Sequence, residues 1–97
     1  MVFVWWMPCN GGMKPRDFIK LADRRREKAE FAKKVGTHLR KIRSAKGISQ
    51  ERLSLDAGYY HTFVNKIEMG RYSPSLHTIW RLAYTLGVSL EEFFKGF

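Results

Sequence analysis

Acidic residues, cysteine and proline are all scarce in this chain. Its 97 residues hold 9 Asp/Glu against 18 Lys/Arg, with one Cys and three Pro. The single Cys9 excludes an internal disulfide framework, and no Cys/His group has zinc spacing, so a reducing cytoplasm is the expected compartment. His38, His61 and His77 are too scattered to suggest a metal site. The apolar run from Val2 to Met7 stops at Pro8, far short of the roughly 20 residues needed to cross a bilayer. It also lacks the basic start and small-residue cleavage site of a signal peptide. Also missing are a Gly-rich phosphate loop, a nucleophile elbow and a paired-carboxylate arrangement. The expectation is therefore no enzyme, no catalytic residue, no cofactor and no membrane partner. A chain of this size holds one small core and offers a small-molecule effector no obvious second domain.

What is present is positive charge, and it is unevenly spread. Residues 1 to 46 carry 13 Lys/Arg against 4 Asp/Glu, whereas residues 47 to 97 carry 5 against 5. The whole net charge of +9 thus lies in the first half. A polyanion touched by that half is one reading. A solvated basic helix is the other.

The stretch QERLSLDAGYYHTFVNKIEMG, residues 50 to 70, organises the rest. Leu53 and Ala57 lie four apart on one helical face, and Gly58 suits the positive φ of a tight turn. In a second helix, expected over about 60 to 69, Val64 and Ile67 mark an inward face. Tyr60, His61, Thr62, Asn65 and Lys66 are left outside, mostly as hydrogen-bonding side chains suited to base edges. Lys66 suits guanine O6/N7, Asn65 suits adenine or a phosphate, and Thr62 suits a thymine methyl.

At these residues the chain resembles a known family. GISQERLSLDAG, VNKIEMGRYSPSL and LGVSLEEFF, in that order across about residues 35 to 95, are similar to the Cro/cI-type helix-turn-helix DNA-binding domain, also called the XRE family. Among short members the chain looks most like restriction-modification controller proteins. The resemblance implies an all-α, five-helix, lambda-repressor-like DNA-binding domain with an additional N-terminal helix. It also implies double-stranded DNA as partner, with main base contacts at His61, Thr62 and Lys66. Gln50 would anchor on the DNA backbone, Arg71 would grip a phosphate from the loop after the recognition helix, and Arg43 would face Glu68 as a structural pair. Phe63 resembles an aromatic that packs near sugar or a thymine methyl in relatives. The departures are Ser54 for the usual Ala, Leu55 for a polar residue, Tyr59 for a smaller aliphatic, and Tyr60 for a capping Ser or Thr. Since Tyr cannot cap its own helix, water, Thr62 or a phosphate must satisfy those N–H groups.

The remaining segments are read around this domain, placed at residues 35 to 97. Residues 1 to 13 form an apolar tail with three open readings: a strand or plug on a partner subunit, a membrane-surface toe-hold, or translated upstream sequence with the natural start at Met13. The last is favoured, because a bare VFVWW is an aggregation hazard. Residues 14 to 34 look helical and basic, with Phe18, Leu21, Ala22 and Ala29 as a broken apolar stripe. From about Phe31 to Lys46 a first domain helix is expected, with Phe31, Val35, Leu39 and Ile42 inward. Lys34, Arg40, Lys41 and Lys46 face outward, toward phosphates.

Ser49 suits the N-cap of the second helix, and Ser73 with Pro74 the start of the fourth, whose core face is Leu76, Ile79, Leu82, Ala83 and Leu86. SLEE at 89 to 92 has capping-box form. Trp80, Tyr84, Phe94 and Phe97 exceed what a small core needs and suggest a homodimer through helices four and five, with two recognition helices on a near-palindromic operator. The alternative is a protein-binding module or antitoxin-like component that uses the same fold to hold a protein partner. The expected setting is a bacterial or phage type of regulator, nucleoid-associated.

Overall fold

The computed structural model describes residues 21–97, which form five helices: α1 (Leu21–Ala45), α2 (Gln50–Asp56), α3 (Phe63–Glu68), α4 (Leu76–Leu86) and α5 (Leu90–Phe93). The tail at 1 to 13 and residues 14 to 20 lie outside the described residues, as do the side chains of Leu21 and Ala22. α1 packs on α3 and α5, α2 on α3 and α4, and α4 on α5. The core they enclose includes Val35, Leu39, Leu53, Val64, Ile67, Leu82 and Phe93.

The described part of the basic segment, from Leu21 onward, and the expected first domain helix are one continuous helix of 25 residues. Nothing between Ala29 and Val35 breaks it, and Ala, Lys, Glu and Phe carry it across. Its inward arc runs through Ala32, Val35, Gly36 and Leu39, at i, i+3, i+4 and i+7. Phe31, expected inward, stands about 100° from Ala32 on that helix and is 50 % exposed. Ala29 is exposed too, along with every residue from Asp23 to Phe31, so the expected apolar stripe finds no core there.

Three helix starts follow from side-chain chemistry. Ser49 Oγ accepts from the Arg52 N–H at 3.0 Å and so caps α2. α4 begins two residues later than expected, because Ser75, not Ser73, caps it: Ser75 Oγ accepts from the Thr78 N–H at 3.2 Å. The shift leaves Leu76 in the first turn and exposed rather than in the core, while Ile79, Leu82, Ala83 and Leu86 are buried. Ser89 Oγ accepts from the Glu92 N–H at 3.0 Å and starts α5, which sets Phe93 into the core.

Gly36 controls how closely α1 approaches α3. A Cβ there would meet the Ile67 carbonyl oxygen, and it would stand 2.9 Å from Glu68 Cα. Both neighbours are backbone and cannot swing aside. Gly36→Ala should therefore lower stability by about 1–3 kcal/mol through overpacking, despite the better helix propensity of alanine. Urea unfolding checks this, and an unchanged or raised midpoint would contradict the packing described.

Candidate nucleic-acid interface

α2 and α3 are joined by a turn that three residues hold in shape. Gly58, at φ 88°, donates its N–H to the Leu55 carbonyl at 3.0 Å, and Tyr59 N–H reaches back to the Ser54 carbonyl at 2.9 Å. From α4, Arg81 Nε donates to the Ala57 carbonyl at 2.5 Å and its guanidinium lies over the Tyr59 ring at 5.8 Å. The large Tyr59 is accommodated by tilting onto Phe63, with centroids 4.1 Å apart and planes at 18°. Phe63 is also met edge-on by Tyr60 at 5.5 Å and flanked by Tyr72 at 5.4 Å. It is buried, and so belongs to the core rather than to a surface for sugar or methyl contact.

α3 itself spans Phe63–Glu68, shorter than the expected 60 to 69, because Tyr60–Thr62 form a turn closed by the Phe63 N–H on the Tyr60 carbonyl at 3.0 Å. Thr62 sits at the N-cap without a side-chain capping bond. The capping oxygen comes instead from α2. Ser54 Oγ, fully buried, accepts from the Val64 N–H at 3.0 Å and donates to the Gln50 carbonyl at 2.8 Å. This role of Ser54 was not foreseen. The signal was available, since the residue stands next to Ala57 at the edge of the inward arc, and a buried hydroxyl needs partners.

The far end of α3 is fixed by charge. Glu68, with its side chain 1 % exposed, accepts from Arg43 Nε at 2.6 Å and from Arg43 Nη2 at 3.1 Å. Arg43 Nη1 also donates to the Ile48 carbonyl at 2.6 Å. Gln50 Nε2 donates to Glu68 Oε1 at 2.8 Å, and Asn65 Nδ2 donates to Gln50 Oε1 at 3.0 Å. Arg40, mostly exposed, brings Nε to 3.7 Å from Glu68 Oε1. Among the described residues no buried side-chain polar atom lacks a partner.

These bonds sort the expected site residues. Tyr60, His61, Thr62 and Lys66 are exposed, with Lys66 Nζ 5.1 Å from the Tyr60 ring centre. Asn65 and Gln50 are half-buried and tied to one another, so the Gln50 amide is engaged inside the motif before any phosphate arrives. Gln50 retains its backbone N–H at the α2 start, where helix geometry leaves it without an intrahelical partner. Arg71 is exposed in the loop after α3, and Lys46 is exposed at the end of α1. The four aromatics expected at a dimer interface fall into two groups. Trp80 and Tyr84 are exposed and stacked at 5.4 Å, with His77 continuing the stack at 6.1 Å from Trp80. Phe94 and Phe97 are half-buried on their own chain, Phe97 lying edge-on to Phe31 at 5.5 Å and to His38 at 5.2 Å. Residues that sequence reasoning missed are Ser54, Gly36 and Arg81.

A two-helix motif of this geometry, with its second helix presenting polar side chains outward and its ends bonded inward, defines a helix-turn-helix DNA-binding domain. Residues 39–93 match the helix-turn-helix family model, and the chain belongs to that family in its Cro/cI, or XRE, branch. It is 33 % identical over 63 residues to the uncharacterized HTH-type transcriptional regulator y4dJ of Sinorhizobium fredii, covering 65 % of this chain and 82 % of that protein. It is 37 % identical over 60 residues to the HTH-type transcriptional regulator PuuR of Escherichia coli, covering 62 % of this chain but only 32 % of PuuR. Among solved structures it is similar to the restriction-modification controller protein C.AhdI from Aeromonas hydrophila, with a TM-score of 0.64 and 36 % identity, covering 68 % of this chain and 96 % of that one. The chain's family is one of DNA-binding transcriptional regulators, not of enzymes. No described helix is long and apolar enough to cross a membrane.

The Ser54 cap has a direct consequence. Ser54→Ala leaves the Val64 N–H buried without an acceptor and should cost about 1–3 kcal/mol. Amide exchange at Val64 should accelerate. Protection equal to that of the parent would show that another acceptor takes over.

Proposed function

We propose that the protein is a sequence-specific regulator that sets the Tyr60–Thr62 turn and the exposed side of α3 into the major groove of double-stranded DNA. The observation that carries this reading is the split of the motif's polar groups. Asn65, Gln50, Arg43 and Glu68 are bonded to one another, while Tyr60, His61 and Thr62 stay exposed just before α3 and Lys66 on its last turn. Base reading falls to His61, Thr62 and Lys66, with Tyr60 beside them and Asn65 offering its Oδ1. Arg71, Lys46, Arg40 and the backbone N–H of Gln50 supply phosphate contacts around that centre.

The regulator acts as a homodimer, with two α3 helices roughly 34 Å apart on a near-palindromic operator. The stacked and exposed Trp80 and Tyr84 support it, since a second copy would cover them. Phe94 and Phe97 join only at the rim, because their rings already pack on their own chain. The same exposed stack is the observation that favours a protein partner as the second reading.

Selection of random-sequence duplexes tests the function. The parent chain should enrich a twofold-symmetric site, and changing His61, Thr62 and Lys66 together to Ala should abolish the enrichment, each good base contact being worth about 1–3 kcal/mol of discrimination. Enrichment that survives the triple change would refute the assignment of the readers. Sedimentation at micromolar concentration should give a dimer that Trp80→Ala with Tyr84→Ala converts to monomer. A monomeric parent would instead favour the protein-partner reading.

A further inference from the structure

The family match begins at residue 39, so nothing in it assigns a role to the first 18 residues of α1. Those residues do not simply project into solvent. The loop that follows α3 lies against them. Gly70 packs so closely on Lys33 that a Cβ there would stand 2.8 Å from Lys33 Cγ and 3.5 Å from Lys33 Cα. Ala29 and Ala32 keep the facing helix surface low, and a groove opens between helix and loop, bordered by Arg25 and Lys28 on one side and Arg71 and Tyr72 on the other. No acidic side chain lines it. Asp23, the first acid of the described helix, turns to Arg26 at 3.8 Å instead.

We propose that this groove is a second DNA-backbone site, in which Arg25 and Lys28 of α1, together with Arg71, hold phosphates outside the segment read by α3. Three cations and no carboxylate suit a phosphodiester chain. The groove is continuous with the readers, because the Arg71 N–H donates to the Lys66 carbonyl at 2.9 Å, so the loop cannot shift without α3. The helix supplies the reach: from Arg43, fixed to Glu68, to Arg25 is 18 residues, or roughly 27 Å along α1 at about 1.5 Å per residue. This inference rests on the DNA-binding reading and adds to it a longer footprint than the family domain alone provides. Because the contacts are to phosphates, they add affinity and salt sensitivity without changing which sequence is preferred.

The test uses the full chain and a duplex enriched by selection, made in two lengths: trimmed to the enriched site, and extended by about ten base pairs on each side. Arg25→Ala combined with Lys28→Ala removes two cations from each protomer and should reduce the slope of log K against log salt by about 3.6 per dimer on the long duplex, since each phosphate contact contributes about 0.9. On the trimmed duplex parent and variant should agree, and the enriched sequence should be the same for both. Both residues are exposed, so helicity and unfolding midpoint should match the parent. Lys95→Ala removes one charge beyond the end of α5 and should leave the slope unchanged on either duplex. A variant whose slope equals that of the parent on the long duplex overturns this inference and leaves sequence-specific binding intact. So does an equal drop on both duplexes or in Lys95→Ala, which would mean general charge rather than a built contact. A parent that enriches no site overturns the DNA-binding reading and this one with it.

Discussion

The ion pair between Arg43 and Glu68 is the constraint on which the rest of the motif depends. A carboxylate only 1 % exposed has lost nearly all its water, and removing such a group from solvent costs several kcal/mol. Two guanidinium bonds and the Gln50 amide compensate for that loss. The net gain in stability is small for most buried pairs, but the geometric demand is not. Arg43 binds the carboxylate side-on while also holding the Ile48 carbonyl, so α1, the loop before α2 and the last residue of α3 are fixed relative to one another. Gln50 then carries the same carboxylate to the first residue of α2, and Asn65 closes the circuit inside α3. Loss of any one member strands a buried polar group.

α3 needs that circuit because it cannot exist alone. A helix of six residues is far below the length at which an isolated helix is stable in water. Its shape comes from outside: Val64 and Ile67 are inserted in the core, Ser54 of α2 satisfies the Val64 N–H, and Arg43 secures Glu68. Gly36 makes the last of these contacts feasible, by allowing α1 to reach the backbone of α3. A helix held at both ends by other elements presents its side chains at a fixed angle. That pre-organisation limits the entropy that binding would otherwise cost.

The parts of this arrangement visible in the sequence were those with strict periodicity or local chemistry. Leu53, Ala57, Val64 and Ile67 have helical spacing, and Ser49 and Ser89 have capping positions, so the motif and its inward faces were legible. Three kinds of information were not. The start of α4 was expected at Ser73 because Pro74 suits a first helical position, whereas it is Ser75 Oγ that accepts from the Thr78 N–H. The continuity of α1 was hidden because two weakly patterned segments met without a breaker between them. The bonds of Ser54 and Arg81 join different helices, so no local window contains both partners. The setting of Phe63 was hidden for a related reason: its ring is covered by Tyr59, Tyr60 and Tyr72, which come from the turn and the loop on either side of α3.

Charge and geometry divide the labour between the two halves of the chain. The half from residue 47 onward is electrically balanced and holds most of the core, the motif and the exposed polar side chains around α3. The half before it carries the entire surplus of +9, and its described part is a single helix that meets the loop beside α3. An unpatterned basic surface would attract any polyanion and lend nothing to specificity. Here the helix is tied to Glu68 at Arg43 and packs at Lys33 against Gly70, so its cations keep a fixed register with α3. On the proposed reading, attraction by the first half would deliver the second half to DNA in one orientation and leave sequence discrimination to the few exposed side chains around α3.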